Sequence, residues 1–154
     1  MAEQTAAQPQ ERVPIQRPRP TTIEEFFTYE INFSALTSGS TQNGNVTIEA
    51  SSDFRWIKGT YFADIAAAAQ TASSRVIPLV TVLITDSGSG QQLSNIATPV
   101  VNLFGTGEIP FILPVSRIFS ARSNVQVTVT NFDAAVSYNL RLSLIGAKIY
   151  KFGQ

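Results

Sequence analysis

The stretch Val-Gln-Val-Thr-Val-Thr at residues 125–130 alternates an apolar with a polar side chain at every position. Successive side chains of a β-strand point to opposite faces, so this pattern predicts a strand with its valines in a core. The same period of two recurs near both ends of the chain, in Phe27, Tyr29, Ile31, Phe33, Leu140, Leu142 and Leu144. We therefore expect three alternating strands that supply much of one core.

Shorter apolar runs between turn residues predict the remaining strands. They cover residues 46–50 after a loop over residues 37–45, residues 54–65 bent at Gly59, residues 77–86 as a central strand buried on both faces, and weaker strands at residues 93–97 and 100–104. A helical turn is expected at residues 66–69, and the last two strands are expected to form a hairpin across residues 131–137. Two prolines, Pro110 and Pro114, restrict residues 105–114 to an edge strand or an apolar loop.

Seven to nine strands with no long amphipathic helix indicate an all-β protein, an antiparallel β-sandwich. A jelly-roll-like order is favoured over an immunoglobulin-like one, because the chain has no cysteine for the immunoglobulin core signature. Residues 1–22 are rich in glutamine and proline, and this composition predicts a flexible, extended N-terminal arm. The sandwich domain is then expected to cover residues 23–154.

Composition argues against several classes of function. The chain has no histidine and no cysteine, which removes the usual general base and the commonest zinc ligands. Its formal net charge is zero, so no basic field gathers nucleic acid. The most apolar stretches are shorter than a membrane span, and no secretory signal is visible at the N-terminus. We expect no enzyme, no cofactor, no metal, no nucleic acid and no membrane among its activities and partners.

Two groups of residues keep a weaker alternative open. Glu49, Asp53 and Asp64 lie close enough in sequence for a glycosidase carboxylate pair, although exposed strand ends explain them as well. Trp56 and Tyr61 would suit a carbohydrate platform, although aromatic residues in strands mostly pack in cores. The alternative function is therefore a carbohydrate-binding module or glycosidase.

The segment Ile-Pro-Phe-Ile-Leu-Pro-Val at residues 109–115 has two possible placements. Its prolines put it near an edge, and its side chains are large and apolar. If they are exposed, they form a partner-binding patch, whereas a segment tucked under the sandwich is part of the core.

Three stretches of the chain resemble small virion proteins of tailed bacteriophages, the β-sandwich proteins that serve as capsid cement or decoration. They are Phe-Arg-Trp-Ile-Lys-Gly-Thr-Tyr-Phe-Ala-Asp at residues 54–64, Pro-Phe-Ile-Leu-Pro-Val-Ser-Arg-Ile-Phe at residues 110–119, and Leu-Ile-Gly-Ala-Lys-Ile-Tyr at residues 144–150. The resemblance implies a jelly-roll-like domain on the outside of a capsid shell that links neighbouring capsomers. It carries over no catalytic residue.

This resemblance implies a structural protein of the virion, made in the host cytoplasm, with the major capsid protein as its partner. We expect a homo-oligomer, either a dimer or a trimer. A neck, tail-adaptor or fibre-attachment role at one vertex is the alternative within the virion. The residues expected at protein interfaces are Val13, Ile15, Arg17, Arg19, Ile109, Phe111, Ile112, Leu113, Arg117 and Arg122.

Overall fold

The computed structural model describes residues 22–68 and 76–151, and this part of the chain forms nine strands. The strands are β1 (Thr22–Leu36), β2 (Thr41–Thr47), β3 (Asp53–Ile65), β4 (Val80–Asp86), β5 (Gln91–Gln92), β6 (Thr98–Pro99), β7 (Phe111–Phe119), β8 (Asn124–Asn131) and β9 (Tyr138–Lys151). Two one-turn 3-10 helices cover Ala66–Ala68 and Val100–Asn102. Within these residues no helix has the length and apolar character to cross a membrane.

The strands form two antiparallel sheets packed as a sandwich, which confirms the predicted fold class. Sheet A has the order β1-β9-β3-β7, and sheet B has the order β2-β8-β4-β5, with β6 also on β4. The pairs are nested along the chain, since β1 pairs with β9, β2 with β8, β3 with β7 and β4 with β5. This nesting is the strand order of a jelly roll.

The alternating residues fill the space between the sheets, as their period predicts. Val125, Val127 and Val129 of β8 are fully buried, and the leucines of β9 face them from the other sheet. Phe27 and Tyr29 of β1 are half-buried, and Ile31 and Phe33 are buried beyond them. The predicted inward faces of β1, β8 and β9 are thus confirmed.

Two predicted connections are wrong. The polar stretch expected as a loop over residues 37–45 contains most of β2, whose seven residues pair with β8 without a break. Threonine hydroxyls and asparagine amides form cross-strand hydrogen bonds there. For example, the Thr128 hydroxyl donates to Asn43 Oδ1 at 2.6 Å. The expected hairpin of the last two strands is absent, because β8 belongs to sheet B and β9 to sheet A.

Other boundaries differ in smaller ways. The strands expected at residues 93–97 and 100–104 are replaced by β5, β6 and the second 3-10 helix. Strand β4 is central in its sheet as predicted, but only one face is buried, since Thr81, Leu83 and Thr85 are half-exposed. In β3 the irregularity falls at Ile57, two residues before Gly59. Strand β1 begins at Thr22, the last residue assigned by sequence to the arm.

A buried carboxylate links the two sheets at one end of the sandwich. Asp86, the last residue of β4, accepts hydrogen bonds from the Gly88 N–H at 2.9 Å and the Ser89 hydroxyl at 2.7 Å. The Arg117 guanidinium of β7 donates to the same carboxylate at 3.1 Å. These contacts explain the sequence Asp-Ser-Gly-Ser-Gly at residues 86–90 as a hydrogen-bonded turn.

These contacts predict acid-sensitive stability. Burial alone would raise the pKa of Asp86, but hydrogen bonds from Ser89, Arg117 and Gly88, with the Arg117 charge, hold it below the ordinary value of 3.8. Because the pKa of Asp86 is lower in the folded protein than its ordinary value of 3.8, the ionised carboxylate stabilises the fold at pH values above 3.8. This stabilisation is lost as the pH falls through the folded-state pKa. We expect Asp86→Asn to cost about 1–3 kcal/mol at neutral pH.

Urea denaturation of both proteins near pH 7 and near pH 2.5 tests this. The difference in the free energy of unfolding should shrink at the acidic pH, while the exposed-site control Glu108→Gln should change little at either pH. An Asp86→Asn penalty that is equal at both pH values would contradict the assignment.

Candidate protein-interaction surface

Strand β7 is an edge strand of sheet A, and its pairing with β3 is interrupted in the middle. Arg117 pairs with Trp56 and Ile112 pairs with Lys58, so residues 113–116 of β7 lie opposite the single residue Ile57. Pro114 lies in this interval and has no N–H to donate to the ladder. The proline therefore explains why β7 separates from β3 at this point.

Four apolar side chains project from this part of the chain into solvent. Ile109 is 78% exposed, Ile112 66% and Val115 82%, and Ile118 is also exposed. Ile112 and Ile118 lie on the outer face of sheet A, opposite Lys58 and Arg55 respectively. We call Ile109, Ile112, Val115 and Ile118 the β7 surface. Within the 109–115 segment the structure thus exposes Ile109, Ile112 and Val115.

The other expected interface residues have different surroundings. Phe111 and Leu113 are half-buried, and Leu113 packs against the core. The Arg117 guanidinium donates a hydrogen bond to the Asp86 carboxylate. Arg122 is exposed in a turn with a left-handed backbone (φ 65°). The four residues expected in the arm, Val13, Ile15, Arg17 and Arg19, lie outside the described residues.

Two members of the β7 surface were not among the individual residues expected at interfaces: Val115, which belongs to the 109–115 segment, and Ile118. Alternation from Phe119, which is fully buried, would have placed Ile118 outside. The sequence contains no such pattern for Val115. Pro114 interrupts the alternation of the strand, and the direction of the side chains beside it depends on the bulge between β7 and β3.

The aromatic residues proposed for a carbohydrate platform do not form one. Trp56 is fully buried, and its ring stacks on Phe104 and Phe119 with centroid distances of 5.7 and 6.3 Å. Its indole N–H donates to the Lys58 carbonyl at 2.8 Å. The side chain is a core residue and offers no surface to a sugar.

Two of the three carboxylates considered for glycoside hydrolysis are in ion pairs, and the third, Asp64, is buried in β3 rather than exposed at a strand end. The Glu49 carboxylate lies 2.8 Å from Lys148 Nζ, and the Asp53 carboxylate lies 2.7 Å from Lys151 Nζ. The hydrogen bond from Lys151, with another from the Ala121 N–H, lowers the pKa of Asp53. A glycosidase acid needs the opposite shift, since it must hold a proton near neutral pH.

One open cleft of about 610 Å³ lies beside β3 and the 105–110 loop. Tyr61, Phe62 and Ile77 contribute to its walls, and burial raises the pKa of Tyr61. Glu108 supplies the single carboxylate among its lining residues in the described chain. Hydrolysis by paired carboxylates requires a second one, so the cleft does not support that chemistry. Likewise, no three acidic side chains within residues 22–68 and 76–151 gather as a metal site.

Comparison with known proteins finds no matching family model, no similar curated protein and no similar solved structure.

Proposed function

We propose that this protein is a structural virion protein that binds a bacteriophage capsid shell and stabilises it as a cement protein. The observation that carries the proposal is the β7 surface, where Ile109, Ile112 and Val115 present their side chains to solvent on a sheet edge. Large exposed apolar side chains grouped on one short segment, rather than scattered singly, are a feature of interaction sites. The partner is the major capsid protein, and the resemblance of the chain to phage cement proteins supports that choice.

The energetics suit a docking anchor. Burying an isoleucine or valine side chain contributes about 1.5–3 kcal/mol, so three of them can offset a large part of the cost of association. Arg55 and Lys58 flank the isoleucines of the β7 surface on β3. They supply polar groups beside the apolar centre, as in the rim of a protein interface.

Sheet B offers a second surface suited to protein contact. On the outer positions of β2, β8 and the middle of β4 the side chains are uncharged, and they are Thr41, Asn43, Asn45, Thr47, Asn124, Gln126, Thr128, Thr130, Thr81, Leu83 and Thr85. Hydroxyl and amide groups cost less to desolvate than charges. A protein that contacts several neighbours in a shell would gain from such a face.

Charged substitutions on the β7 surface test the proposal. We expect the double substitution Ile112→Asp and Val115→Asp to lower binding to shells stripped of this protein by tenfold or more, because two carboxylates would be desolvated in the contact. Bound copies are counted by gel densitometry after the shells are sedimented.

Ile96→Asp is the control, because Ile96 is 67% exposed and lies between β5 and β6, outside both the β7 surface and the uncharged positions of sheet B named above. It should bind as the parent does. Equal binding by the β7 double variant and the parent, with both proteins folded, would overturn the proposed contact.

A further inference from the structure

Strand β2 is an open edge of sheet B. It pairs with β8 on one side, and no strand of the described part of the chain lies on its other side. Just before β2 the Asn131 N–H donates to the Ser40 carbonyl at 2.9 Å. Just after β2 the Ile48 N–H donates to the Ser123 carbonyl, also at 2.9 Å. Alternate residues of an antiparallel pair exchange hydrogen bonds, so the even-numbered residues of β2 bond β8. The odd-numbered residues therefore direct their N–H and C=O groups to the open edge.

The other edges of the two sheets carry features that hinder pairing between copies. Strand β1 carries Glu24, Glu25 and Glu30, β7 is interrupted at Pro114, and β5 and β6 have two residues each. Charges, prolines and short length are the usual protection of edge strands. Strand β2 has seven residues, no charge, no proline and no register shift against β8. Its edge can therefore accept a further strand.

The sequence of β2 is almost the same in both directions. It reads Thr-Gln-Asn-Gly-Asn-Val-Thr, symmetrical about Gly44 except for Gln42 and Val46. A two-fold axis at Gly44 would pair two copies of β2 antiparallel, with Asn43 of one copy opposite Asn45 of the other and the first threonine opposite the last. These four residues are odd-numbered, so their free N–H and C=O groups would meet and exchange hydrogen bonds.

The side chains of β2 agree with this pairing. The two asparagines and two threonines are exposed on the outer face of the sheet, so asparagine would lie beside asparagine and threonine beside threonine. Cross-strand threonine pairs are favourable, and amide groups both donate and accept hydrogen bonds. The remaining side chains point inward, since Val46 is buried and the Gln42 amide donates to the Ser34 carbonyl of β1 at 3.2 Å. No like charges would meet at this contact.

We infer that two copies of this chain pair through their β2 edges about a two-fold axis at Gly44. One continuous sheet then runs from β5 of one copy to β5 of the other. The partner is a second copy because the edge is complementary to itself, and such an isologous contact closes at two copies. Strand β1 packs over β2, and β7 is at the opposite edge of sheet A, so the β7 surface takes no part in this contact.

Disulfide trapping tests both the contact and its register, because the chain has no cysteine of its own. One full-length copy carries Asn43→Cys, and a differently tagged full-length copy carries Asn45→Cys. Opposite residues of a hydrogen-bonded pair have Cα atoms about 5.5 Å apart, which a disulfide can span. After the two variants are refolded together and mildly oxidised, we expect disulfide-linked heterodimers on a non-reducing gel.

Each cysteine variant alone is the register control. Two copies of Asn45→Cys would place their cysteines diagonally, about 7–8 Å apart, and a disulfide does not bridge such a distance without movement of the backbone. We therefore expect few homodimers of either variant. Absence of heterodimers, or homodimers that form as readily as heterodimers, would overturn the inference.

Charged substitutions give an independent measurement on the unlinked protein. We expect Asn43→Lys with Asn45→Lys to raise the dimer dissociation constant at least tenfold by sedimentation equilibrium, because like charges would lie opposite each other across the axis. The matched control is Gln126→Lys with Thr128→Lys, at the positions on β8 that pair with these asparagines. Both double variants lose the hydrogen bond between Thr128 and Asn43 and add two lysines to the same face. The control should keep a constant close to that of the parent.

Two results of the sedimentation experiment would contradict the β2 contact. One is a parent protein that sediments as a monomer at every concentration, or as a trimer. The other is an unchanged constant in the β2 double variant. Binding to shells through the β7 surface is measured separately, so a dimer that fails to bind shells would count against the proposed function and leave the β2 contact intact.

Discussion

Trp56→Ala is expected to lower the free energy of unfolding by about 3–5 kcal/mol. The indole fills the space between Phe104 and Phe119 and is fully buried. Its removal leaves a cavity in the centre of the sandwich and takes away the hydrogen bond to the Lys58 carbonyl. Urea denaturation followed by circular dichroism measures the change, because Trp56 is the single tryptophan and its fluorescence is lost with it.

Two further variants separate the causes. Trp56→Phe keeps much of the volume and loses the N–H donor, so we expect a smaller loss of about 1–2 kcal/mol. Phe132→Ala removes an exposed ring and should change stability by less than about 1 kcal/mol. A Trp56→Ala protein as stable as Phe132→Ala would show that Trp56 is not a core residue.

Gly146→Ala is expected to cost at least about 3 kcal/mol or to prevent folding. Gly146 is on β9 opposite Trp56, and a Cβ atom there would lie 1.8 Å from the Arg55 carbonyl oxygen. The obstructing atoms belong to the backbone of β3, so no side-chain rotation relieves the overlap. Strands β9 and β3 would have to separate in the middle of sheet A.

A graded glycine series provides the control. At Gly59 the nearest atom to an added Cβ is in the Phe104 ring, at 2.8 Å, whereas Gly107 has no atom within 4 Å. We therefore expect the loss to be largest for Gly146→Ala, smaller for Gly59→Ala, and close to zero for Gly107→Ala. Equal thermal midpoints for Gly146→Ala and Gly107→Ala would refute the packing of β9 against β3.

The alternating strands could be predicted because their pattern is local. In β8 and in residues 138–144 of β9 each apolar residue is two positions from the next, and burial follows that period, whereas residues 146–149 of β9 are all buried. The pairing of the strands could not be predicted from such a local pattern. Ile31 pairs with Leu142, more than a hundred residues away, and the nested order brings the first strand beside the last. No turn residue signals such a contact.

The failure at β2 has a similar cause. Its sequence, Thr-Gln-Asn-Gly-Asn-Val-Thr, has the composition of a loop, and only its pairing with β8 makes it a strand. Gly44 also needs its lack of a side chain, because an added Cβ would lie 2.5 Å from the Ile31 side chain in the facing sheet. Tertiary packing thus overrides local propensity.

The sequence predicted which segment forms most of the β7 surface, but it did not predict that its side chains are exposed. The sequence singled out residues 109–115 as an apolar segment that contains two prolines, and this pattern agreed with both exposure and burial. The outcome depends on the interrupted pairing at Pro114, which sends Ile112 and Val115 outward while Leu113 packs on the core. A bulge of this size depends on the partner strand, so the β7 sequence alone cannot determine it.

The number of copies of this protein per major shell subunit, in particles purified from its source, tests the proposed function most directly. Quantitative densitometry against the most abundant band gives this ratio. A cement protein predicts one copy per shell subunit or a simple fraction of one. A few copies per hundred shell subunits would move the protein to a neck or tail position, and its absence from the particles would contradict a structural role in the virion.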